Sequence, residues 1–301
     1  MIKRATVYFV FCVISFLFCS GSLCAQSYPR RIISLGPSIT EELYLLGAGD
    51  HLVGCTTYCK RPEAKLKERV GKAIEVDLEK VIALKPDIVF ATSLTDPRAV
   101  NRMRELGVKV VVFPEPKDFQ EICNQFVKLA RLIGREGKAK EIISRVKARV
   151  TRFKEEVKGL NKPKVFVEVG VRPLFTATGD SFINDFIKLA GGINIAAHAR
   201  SGLYSREKVL EENPDVIIIV TMGIVGQKEK STWEKFKTIK AVREGRVYVV
   251  DSYKLCSPTP VTFVEFLGEL VRLLHPELKG KNVGPGAAEG VQGGGVWKID
   301  W

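Results

Sequence analysis

An internal repeat constrains the fold of this chain more than any other feature of its sequence. Residues 78–81 read Leu-Glu-Lys-Val and precede Pro86-Asp87, while residues 206–209 read Arg-Glu-Lys-Val and precede Pro214-Asp215. A single offset of 128 residues relates the two copies. Because each copy combines a helix start with a Pro-Asp turn before an apolar run, the repeat predicts two lobes of similar structure.

Strand-like and helix-like segments alternate around this repeat. Apolar and β-branched runs predict strands at residues 31–35, 52–56, 87–91, 108–113, 165–169, 216–221 and 247–250. Apolar residues at helical spacing predict helices at residues 39–46, 78–84, 100–106, 119–133, 181–189, 206–212, 233–242 and 261–274. Ser38 and Glu41 match a capping box for the first helix. This alternation predicts an α/β fold with parallel sheets.

One long segment interrupts the alternation. Residues 135–159 are highly charged and repeat apolar residues at helical spacing. A helix of two dozen residues extends about 36 Å, which suits a connection between two lobes better than a crossover within one. The predicted domains are a signal peptide (1–25), an N-terminal lobe (26–135), a linking helix (136–159), a C-terminal lobe (160–279) and a Gly-rich flexible tail (280–301).

The N-terminus has the features of an export signal. Lys3 and Arg4 precede an apolar run over residues 5–18, and small residues follow before Cys24 and Ala25. This order predicts a secretory signal peptide cleaved after Ala25 and a periplasmic or extracytoplasmic location. Two alternatives stay open. One is an uncleaved anchor, although the apolar run is shorter than the ~20 residues a spanning helix needs; the other is lipid attachment at Cys24.

The net charge and the cysteine content by themselves exclude few classes of function. The formal net charge is +13, or +11 without Lys3 and Arg4, and the basic residues are scattered among glutamates as on a solvated surface. Export also argues against a nucleic-acid partner. An oxidising compartment permits a disulfide, but the four cysteines beyond the signal allow three pairings, which the sequence does not distinguish. These cysteines are Cys55, Cys59, Cys123 and Cys256.

Four segments in order carry a family resemblance. They are Arg31-Ile-Ile-Ser-Leu-Gly-Pro-Ser-Ile-Thr-Glu41, Leu52-Val-Gly54 with Tyr58-Cys-Lys-Arg-Pro62, Asp77-Leu-Glu-Lys-Val-Ile-Ala-Leu-Lys-Pro-Asp87, and Gly191-Gly-Ile-Asn194. Together they resemble the periplasmic binding proteins of vitamin B12, ferric siderophore and haem importers, and the cobalamin-binding subgroup most of all. The resemblance covers residues 31–276. It implies two Rossmann-like lobes joined by one long helix, with a small-molecule ligand in the cleft between them.

The resemblance also implies a partner. Proteins of this class dock on the permease of an ABC importer through one acid on each lobe, and Glu79 and Glu207 match those positions. A carboxylate in the first turn of a helix is also stabilised by the helix dipole, with Asp77 and Ser205 as candidate N-caps, so a purely structural role is the alternative. We expect a monomer without an intrinsic cofactor.

In such a fold the ligand faces loops at the carboxyl ends of the strands. Arg172 suits an anionic group, and three tyrosines suit stacking on a flat ligand. The predicted ligand-binding residues are Pro37, Ser38, Tyr58, Cys59, Thr92, Ser93, Arg172, Phe175, His198, Tyr204 and Tyr253.

The expected ligand is a corrinoid or an iron chelate. Cobalamin binders of this family place tryptophans against the corrin ring, whereas the matching positions here are Ala73, Thr92 and Ser201. Haem or a siderophore is the alternative, and haem iron takes a His or Tyr axial ligand, for which His198 and Tyr58 are candidates. No metal site of the protein's own is expected, because the three histidines fall in unrelated segments.

An enzyme is the competing class of function. Gly179-Asp180-Ser181 resembles the nucleophile motif of one esterase family, but no histidine lies in the Asp-x-x-His arrangement that this family also needs. Neither the Gly-x-Ser-x-Gly elbow nor a P-loop is present. A secreted hydrolase is therefore the weaker hypothesis, and a sensor subunit with the same fold is a third.

Overall fold

The computed structural model describes residues 28–72, 74–221 and 225–278. The predicted signal peptide, the Gly-rich tail and Ala73 lie outside these residues. The described chain forms two compact units, and each is discontinuous in sequence. The first unit comprises residues 28–113 and 128–136, and the second comprises residues 114–127 and 137–278. The predicted lobe boundaries at residues 135 and 160 stay predictions.

The first unit is built on a sheet with helices between its strands. Its strands are β1 (Ile32–Ser34), β2 (Leu52–Cys55), β3 (Glu68–Arg69), β4 (Ile88–Thr92) and β5 (Val110–Phe113). Its helices are α1 (Pro37–Leu45), α2 (Leu78–Ala83) and α3 (Pro97–Glu105), with 3₁₀ turns at Gly49–His51 and Glu63–Leu66. Helix α4 (Phe119–Leu132) contributes residues to both units.

The second unit repeats this plan with additional elements. Its strands are β6 (Lys164–Val171), β7 (Leu174–Thr176), β8 (Ile193–Asn194), β9 (Val216–Thr221) and β10 (Val247–Asp251). Its helices are α5 (Glu136–Glu156), α6 (Phe182–Leu189), α7 (Arg206–Glu212), α8 (Val225–Trp233), α9 (Lys240–Arg243), α10 (Ser252–Cys256) and α11 (Pro260–Leu274), and a 3₁₀ turn follows at Pro276–Leu278.

Both sheets are dominated by parallel pairs, which confirms the predicted pair of α/β lobes with parallel sheets. The first sheet has the order β3-β2-β1-β4-β5 and is parallel throughout its described strands. The second has the order β10-β9-β6-β7, with β8 paired to β6. β7 is antiparallel to β6 and was not predicted. It is a short return of the chain after a two-residue turn, too brief to show an alternating pattern.

The sequence repeat corresponds to a repeated backbone device. Lys85 and Asn213 precede the two prolines and both have a positive φ, of 44° and 47°. The aspartate that follows each proline then accepts hydrogen bonds from backbone N–H groups at the start of the neighbouring strand. Asp87 accepts from Arg30 and Arg31 at 2.7 and 2.9 Å, and Asp215 accepts from Lys164 at 2.7 Å. In each unit, the repeated Pro-Asp turn therefore aligns the starts of two neighbouring strands.

The predicted capping box at Ser38 and Glu41 is wrong. Helix α1 begins at Pro37, its N-cap is Gly36, and no side chain caps it. Proline suits the first helical position because its φ is already helical and it lacks the N–H that would need a partner. Glu41 instead pairs with Arg61, with Nη1 and Oε2 2.8 Å apart.

The predicted helix over residues 233–242 is also wrong. Trp233 ends α8, and α9 begins only at Lys240. Between them the N–H of Phe236 bonds to Trp233 and that of Ile239 to Phe236, at 2.9 and 3.0 Å. Apolar residues three apart fit a 3₁₀-type turn as well as an α-helix, so their spacing alone did not separate the two.

The long charged segment is a helix, as predicted. α5 spans Glu136–Glu156 and buries Ala139, Ile142, Val146, Val150 and Phe153 within the second unit. Gly268 of α11 makes room for it, because a Cβ there would lie 2.9 Å from Cζ of Phe153. This buried apolar stripe holds the helix against the second unit although most of its other residues are charged.

We predict that Asp215→Asn lowers the free energy of unfolding by about 1–2 kcal/mol, since hydrogen bonds to charged groups contribute roughly that much. Burial alone would raise the pKa of Asp215, but the bond from Lys240 Nζ (2.7 Å) and the Lys164 N–H outweigh it and lower the pKa. The stabilisation is therefore present above the unfolded pKa of about 3.9 and is lost as the pH falls through the lower folded value.

Urea unfolding between pH 3 and 7 measures this effect. Asp180→Asn, at an exposed turn, is the matched control. Equal unfolding midpoints for the two variants at pH 7 would contradict the role assigned to Asp215.

Candidate functional site

In the first unit, the fold brings predicted residues from two neighbouring strands together. β1 and β4 are adjacent, and the chain leaves β1 through Gly36 directly beside Thr92. A Cβ on Gly36 would lie 2.6 Å from Cγ2 of Thr92, so only glycine fits there. Pro37 and Ser38 are half-buried at the start of α1, Thr92 ends β4, and Ser93 is exposed after it.

The loop after β2 separates two residues that were predicted to bind ligand together. Tyr58 is 43% exposed, whereas Cys59 is only 3% exposed. The sulfur of Cys59 lies 3.1 Å from the Thr40 hydroxyl and 3.4 Å from the Thr56 hydroxyl. Tyr58 is therefore available to a ligand, and the thiol of Cys59 is turned into the interior of the unit.

In the second unit, Arg172 and Phe175 lie on the β6–β7 hairpin. Arg172 is exposed in its turn, before a cis bond to Pro173. Phe175 was predicted in a loop but is the middle residue of β7, where it is 40% exposed. It bridges to Leu203, another exposed apolar residue, because the segment 202–204 pairs with β7.

The segment that contains His198 and Tyr204 is held at its start by Asn194. The side-chain amide of Asn194 donates to the carbonyl of Ala177 at 2.8 Å, and its oxygen accepts from the N–H of Ala196 at 3.0 Å. A surface depression of about 460 Å³ lies in this segment. It is lined by Ala199, Arg200, Ser201, Leu203, Tyr204, Ser205 and Lys208. Two cations, three hydroxyls and two apolar groups suit a partly flat ligand with anionic groups.

The remaining predicted residues lie in different surroundings. His198 is exposed, and Tyr204 is half-buried with its ring 5.8 Å from that of Phe166. Tyr253 was predicted in a loop but belongs to the short helix α10, capped by Asp251. This error arose because α10 has only five residues and no room for a helical repeat.

A buried polar cluster lies beneath α7 in the second unit. Glu168, at the middle of β6, is fully buried and accepts a hydrogen bond of 2.5 Å from Nε1 of Trp233. Arg206 lies over the Trp233 ring at 4.7 Å and pairs with the buried carboxylate of Glu229. Burial raises the pKa of Glu168 to about 7; the Trp233 bond lowers it and the nearby Glu229 raises it. Glu168 is therefore close to half-protonated at neutral pH.

The two candidate docking acids occupy equivalent places. Glu79 and Glu207 are both exposed in the first turn of their helices. The predicted caps are confirmed: Asp77 accepts from the Lys80 N–H at 3.1 Å, and Ser205 accepts from the Lys208 N–H at 3.2 Å. Hydrogen bonds from its own backbone N–H and from Ser205 lower the pKa of Glu207.

The comparisons with known proteins agree with this architecture. The periplasmic binding protein family model matches residues 32–254, well over half of the chain. The chain belongs to the periplasmic binding protein family.

Three similar proteins illustrate the family. An uncharacterised ABC transporter substrate-binding lipoprotein, YvrC, of Bacillus subtilis is 31% identical over 258 residues, which cover 83% of this chain and 81% of that protein. A vitamin B12-binding protein of Yersinia pseudotuberculosis is 31% identical over 194 residues, which cover 63% of this chain and 69% of that protein. The structure of a possible iron-binding (periplasmic solute-binding) protein of Staphylococcus epidermidis is 30% identical, with a TM-score of 0.74 and coverage of 83% and 100%.

The Glu168 cluster of this periplasmic binding protein was not predicted from the sequence. A signal was present, since Glu168 interrupts the apolar strand at residues 165–169. A charged residue at the centre of a strand that is apolar on both faces needs a buried partner. Its partner Trp233 was visible too, but nothing in the sequence connects positions 65 residues apart.

We predict that Glu168→Gln removes a pH dependence of stability. A carboxyl with a raised pKa favours folding at low pH, and this contribution is lost as the pH rises from the unfolded pKa of about 4.3 to the folded value. Glutamine keeps the shape and the acceptor for Trp233 without the charge. As the pH rises from 5 to 8, the free energy of unfolding of the variant should therefore increase by about 2–3 kcal/mol relative to that of the unsubstituted protein, at about 1.4 kcal/mol per pKa unit.

Denaturant unfolding followed by circular dichroism at the two pH values tests this prediction. Glu244→Gln, at an exposed position, is the control and should show no such change. A constant difference between Glu168→Gln and the unsubstituted protein across the pH range would rule out the titration of Glu168.

Proposed function

We propose that this chain is the extracytoplasmic substrate-binding component of an ABC importer and that it carries a corrinoid or an iron chelate. The observation that carries the proposal is the matched pair of exposed acids, Glu79 and Glu207, each in the first turn of a capped helix of a periplasmic binding protein. The similarity to an ABC transporter substrate-binding lipoprotein, a vitamin B12-binding protein and a possible iron-binding protein supports it.

The ligand class follows from the aromatic and cationic groups that the described residues expose. Tyr58 and Phe175 offer aromatic surface, and Arg172, Arg200 and Lys208 offer positive charge. Aromatic rings pack well on a flat macrocycle or on a catecholate or aryl chelator, and guanidinium groups bind carboxylates and phosphates in pairs of hydrogen bonds. Corrinoids and ferric chelates both combine such extended surfaces with polar or anionic substituents.

Export is part of the proposal. The predicted signal peptide supports it, and so does the lipoprotein nature of the Bacillus relative. In the part of the chain that the structure describes, no helix is both long enough and apolar enough to span a membrane.

We predict that the protein retains visible colour after incubation with cobalamin or a ferric siderophore followed by desalting. Haem is itself an iron chelate, so its retention would also fit the proposed ligand class. Retention of none of cobalamin, ferric siderophore and haem would contradict that class and leave the family assignment standing. Saturable and stoichiometric retention without turnover distinguishes a carrier from a hydrolase.

Two tyrosines provide a matched comparison in the same assay. Tyr58 and Tyr28 are both 43% exposed, but only Tyr58 follows a strand at its carboxyl end. Tyr58→Ala should weaken binding by about 3- to 10-fold, since an aromatic contact contributes roughly 0.5–1.5 kcal/mol. Tyr28→Ala should leave the affinity unchanged, and equal effects of both would remove Tyr58 from the site.

We predict that the double variant Glu79→Ala plus Glu207→Ala abolishes ligand uptake by cells and leaves ligand affinity intact, because it removes the charges that meet the permease. Glu75→Ala plus Glu211→Ala changes the net charge equally at exposed positions nearby and should transport normally. Unchanged uptake with the first double variant would refute docking through these acids.

A further inference from the structure

The two copies of the internal repeat differ at the first residue of their helix. Leu78 begins α2 and Arg206 begins α7, whereas Glu-Lys-Val follows in both copies. Leu78 is half-buried and packs against the apolar core of the first unit. At the matching position, the second unit therefore has a charged side chain in place of an apolar contact.

The side chain of Arg206 contacts helix α8. Its guanidinium lies 4.7 Å from the centre of the Trp233 ring and pairs with the carboxylate of Glu229. Glu229 and Trp233 are one turn apart on the same face of α8. Trp233 is fully buried, and the side chains of Glu229 and Arg206 are 5% and 26% exposed. Arg206 is thus directed towards the interior, while its neighbour Glu207 is exposed.

Helix α7 is too short to hold its own orientation. It has 7 residues, fewer than the roughly 12–15 at which an isolated helix becomes marginally stable in water. Its N-cap, Ser205, bonds to the N–H of Lys208 within the same helix, so this bond does not orient the helix in the unit. Val209 is buried in the core one turn after Arg206. Together, Val209 and Arg206 attach the same face of α7 at two successive turns.

We propose that Arg206 is a positioning residue for docking on the importer. By binding Glu229 and Trp233, it holds the first turn of α7 in the orientation that presents the Glu207 carboxylate to the permease. Because Arg206 is paired with Glu229, the carboxylate of Glu207 remains available to a partner. The inference rests on the proposed docking role of Glu207 and extends it to the contact that supports this acid.

A variant that removes the contact without leaving a buried charge tests this role. Arg206→Ala alone would leave the buried carboxylate of Glu229 without its cation, which is strongly destabilising. Arg206→Ala plus Glu229→Gln avoids this. Arg152→Ala plus Glu156→Gln is the matched control, because it makes the same two substitutions at an Arg–Glu pair of α5, where Nε and Oε1 are 2.8 Å apart.

Binding of the radiolabelled full chain to membranes from the organism that produces it measures docking without a transported ligand. Arg206→Ala plus Glu229→Gln should raise the half-saturating concentration by about 3- to 10-fold, the range expected when one side chain of an interface is no longer ordered before binding. The control should stay within about twofold of the unsubstituted protein, since exposed ion pairs contribute little.

A double-mutant cycle with Glu207 separates positioning from a general loss of folded protein. In a Glu207→Ala background no carboxylate is left to position, so the Ala–Gln variant should cause no further loss of binding. General destabilisation would instead weaken binding equally in both backgrounds. If the Ala–Gln variant does not fold, Arg206→Lys takes its place in the cycle, because lysine keeps the charge but not the planar contact with Trp233.

An apolar replacement separates positioning from direct contact of the arginine with the permease. Arg206→Leu plus Glu229→Met gives the second unit the kind of contact that Leu78 makes in the first. Apolar residues of similar volume often replace a buried ion pair at no cost in stability, so binding should return to within about twofold of the unsubstituted protein. A loss as large as that of the Ala–Gln variant would show that the arginine itself meets the permease and would overturn the positioning role.

The remaining outcomes distinguish this inference from the proposed function. Weaker binding of Glu207→Ala together with unchanged binding of Arg206→Ala plus Glu229→Gln would overturn the role of Arg206 and leave docking through Glu207 intact. Additive losses in the cycle would do the same. Unchanged binding of Glu207→Ala would refute docking through this acid, and the inference about Arg206 would fall with it.

Discussion

Each of the two sheets depends on an aspartate that receives the first backbone N–H groups of a neighbouring strand. Asp87 holds the start of β1, and Asp215 holds the start of β6. These bonds set the pairs from which the parallel register continues, Ile32 beside Ile88 and Val165 beside Val216. Parallel strands have no tight turn between them to fix their alignment, so a side chain that holds the start of a strand contributes directly to their register.

The same constraint explains why so much of the fold was predictable. The Pro-Asp turn is a short local signal, and it appears in both copies of the repeat together with the acid that begins the preceding helix. Elements that combine such a signal with a clear period, such as α2 and α7, were predicted almost to their ends. Where only the period was present, as between Trp233 and Ile239, an α-helix and a series of 3₁₀ turns fitted equally well. The strand β7 has neither a Pro-Asp turn nor a clear apolar period, so it was not predicted.

Site residues were harder to predict than elements, because sequence position does not determine which way a side chain points. Tyr58 and Cys59 are neighbours in one loop, yet one faces outward and the other is packed among the hydroxyls of Thr40 and Thr56. Phe175 was found by its proximity to a strand end, but its exposure results from a hairpin that no pattern indicated. Glu168 is the opposite case. A charged residue within an apolar strand indicated a buried polar cluster, but only the fold shows which residues belong to that cluster.

The discontinuity of the two compact units has a consequence for synthesis on the ribosome. Residues 114–127 belong to the second unit but emerge before residues 128–136, which complete the first. The opening turns of α4 therefore cannot complete their packing within the second unit until more than a hundred further residues of that unit have been translated. Neither unit corresponds to an uninterrupted stretch of the gene, so the molecule cannot be divided at one point into two self-sufficient fragments.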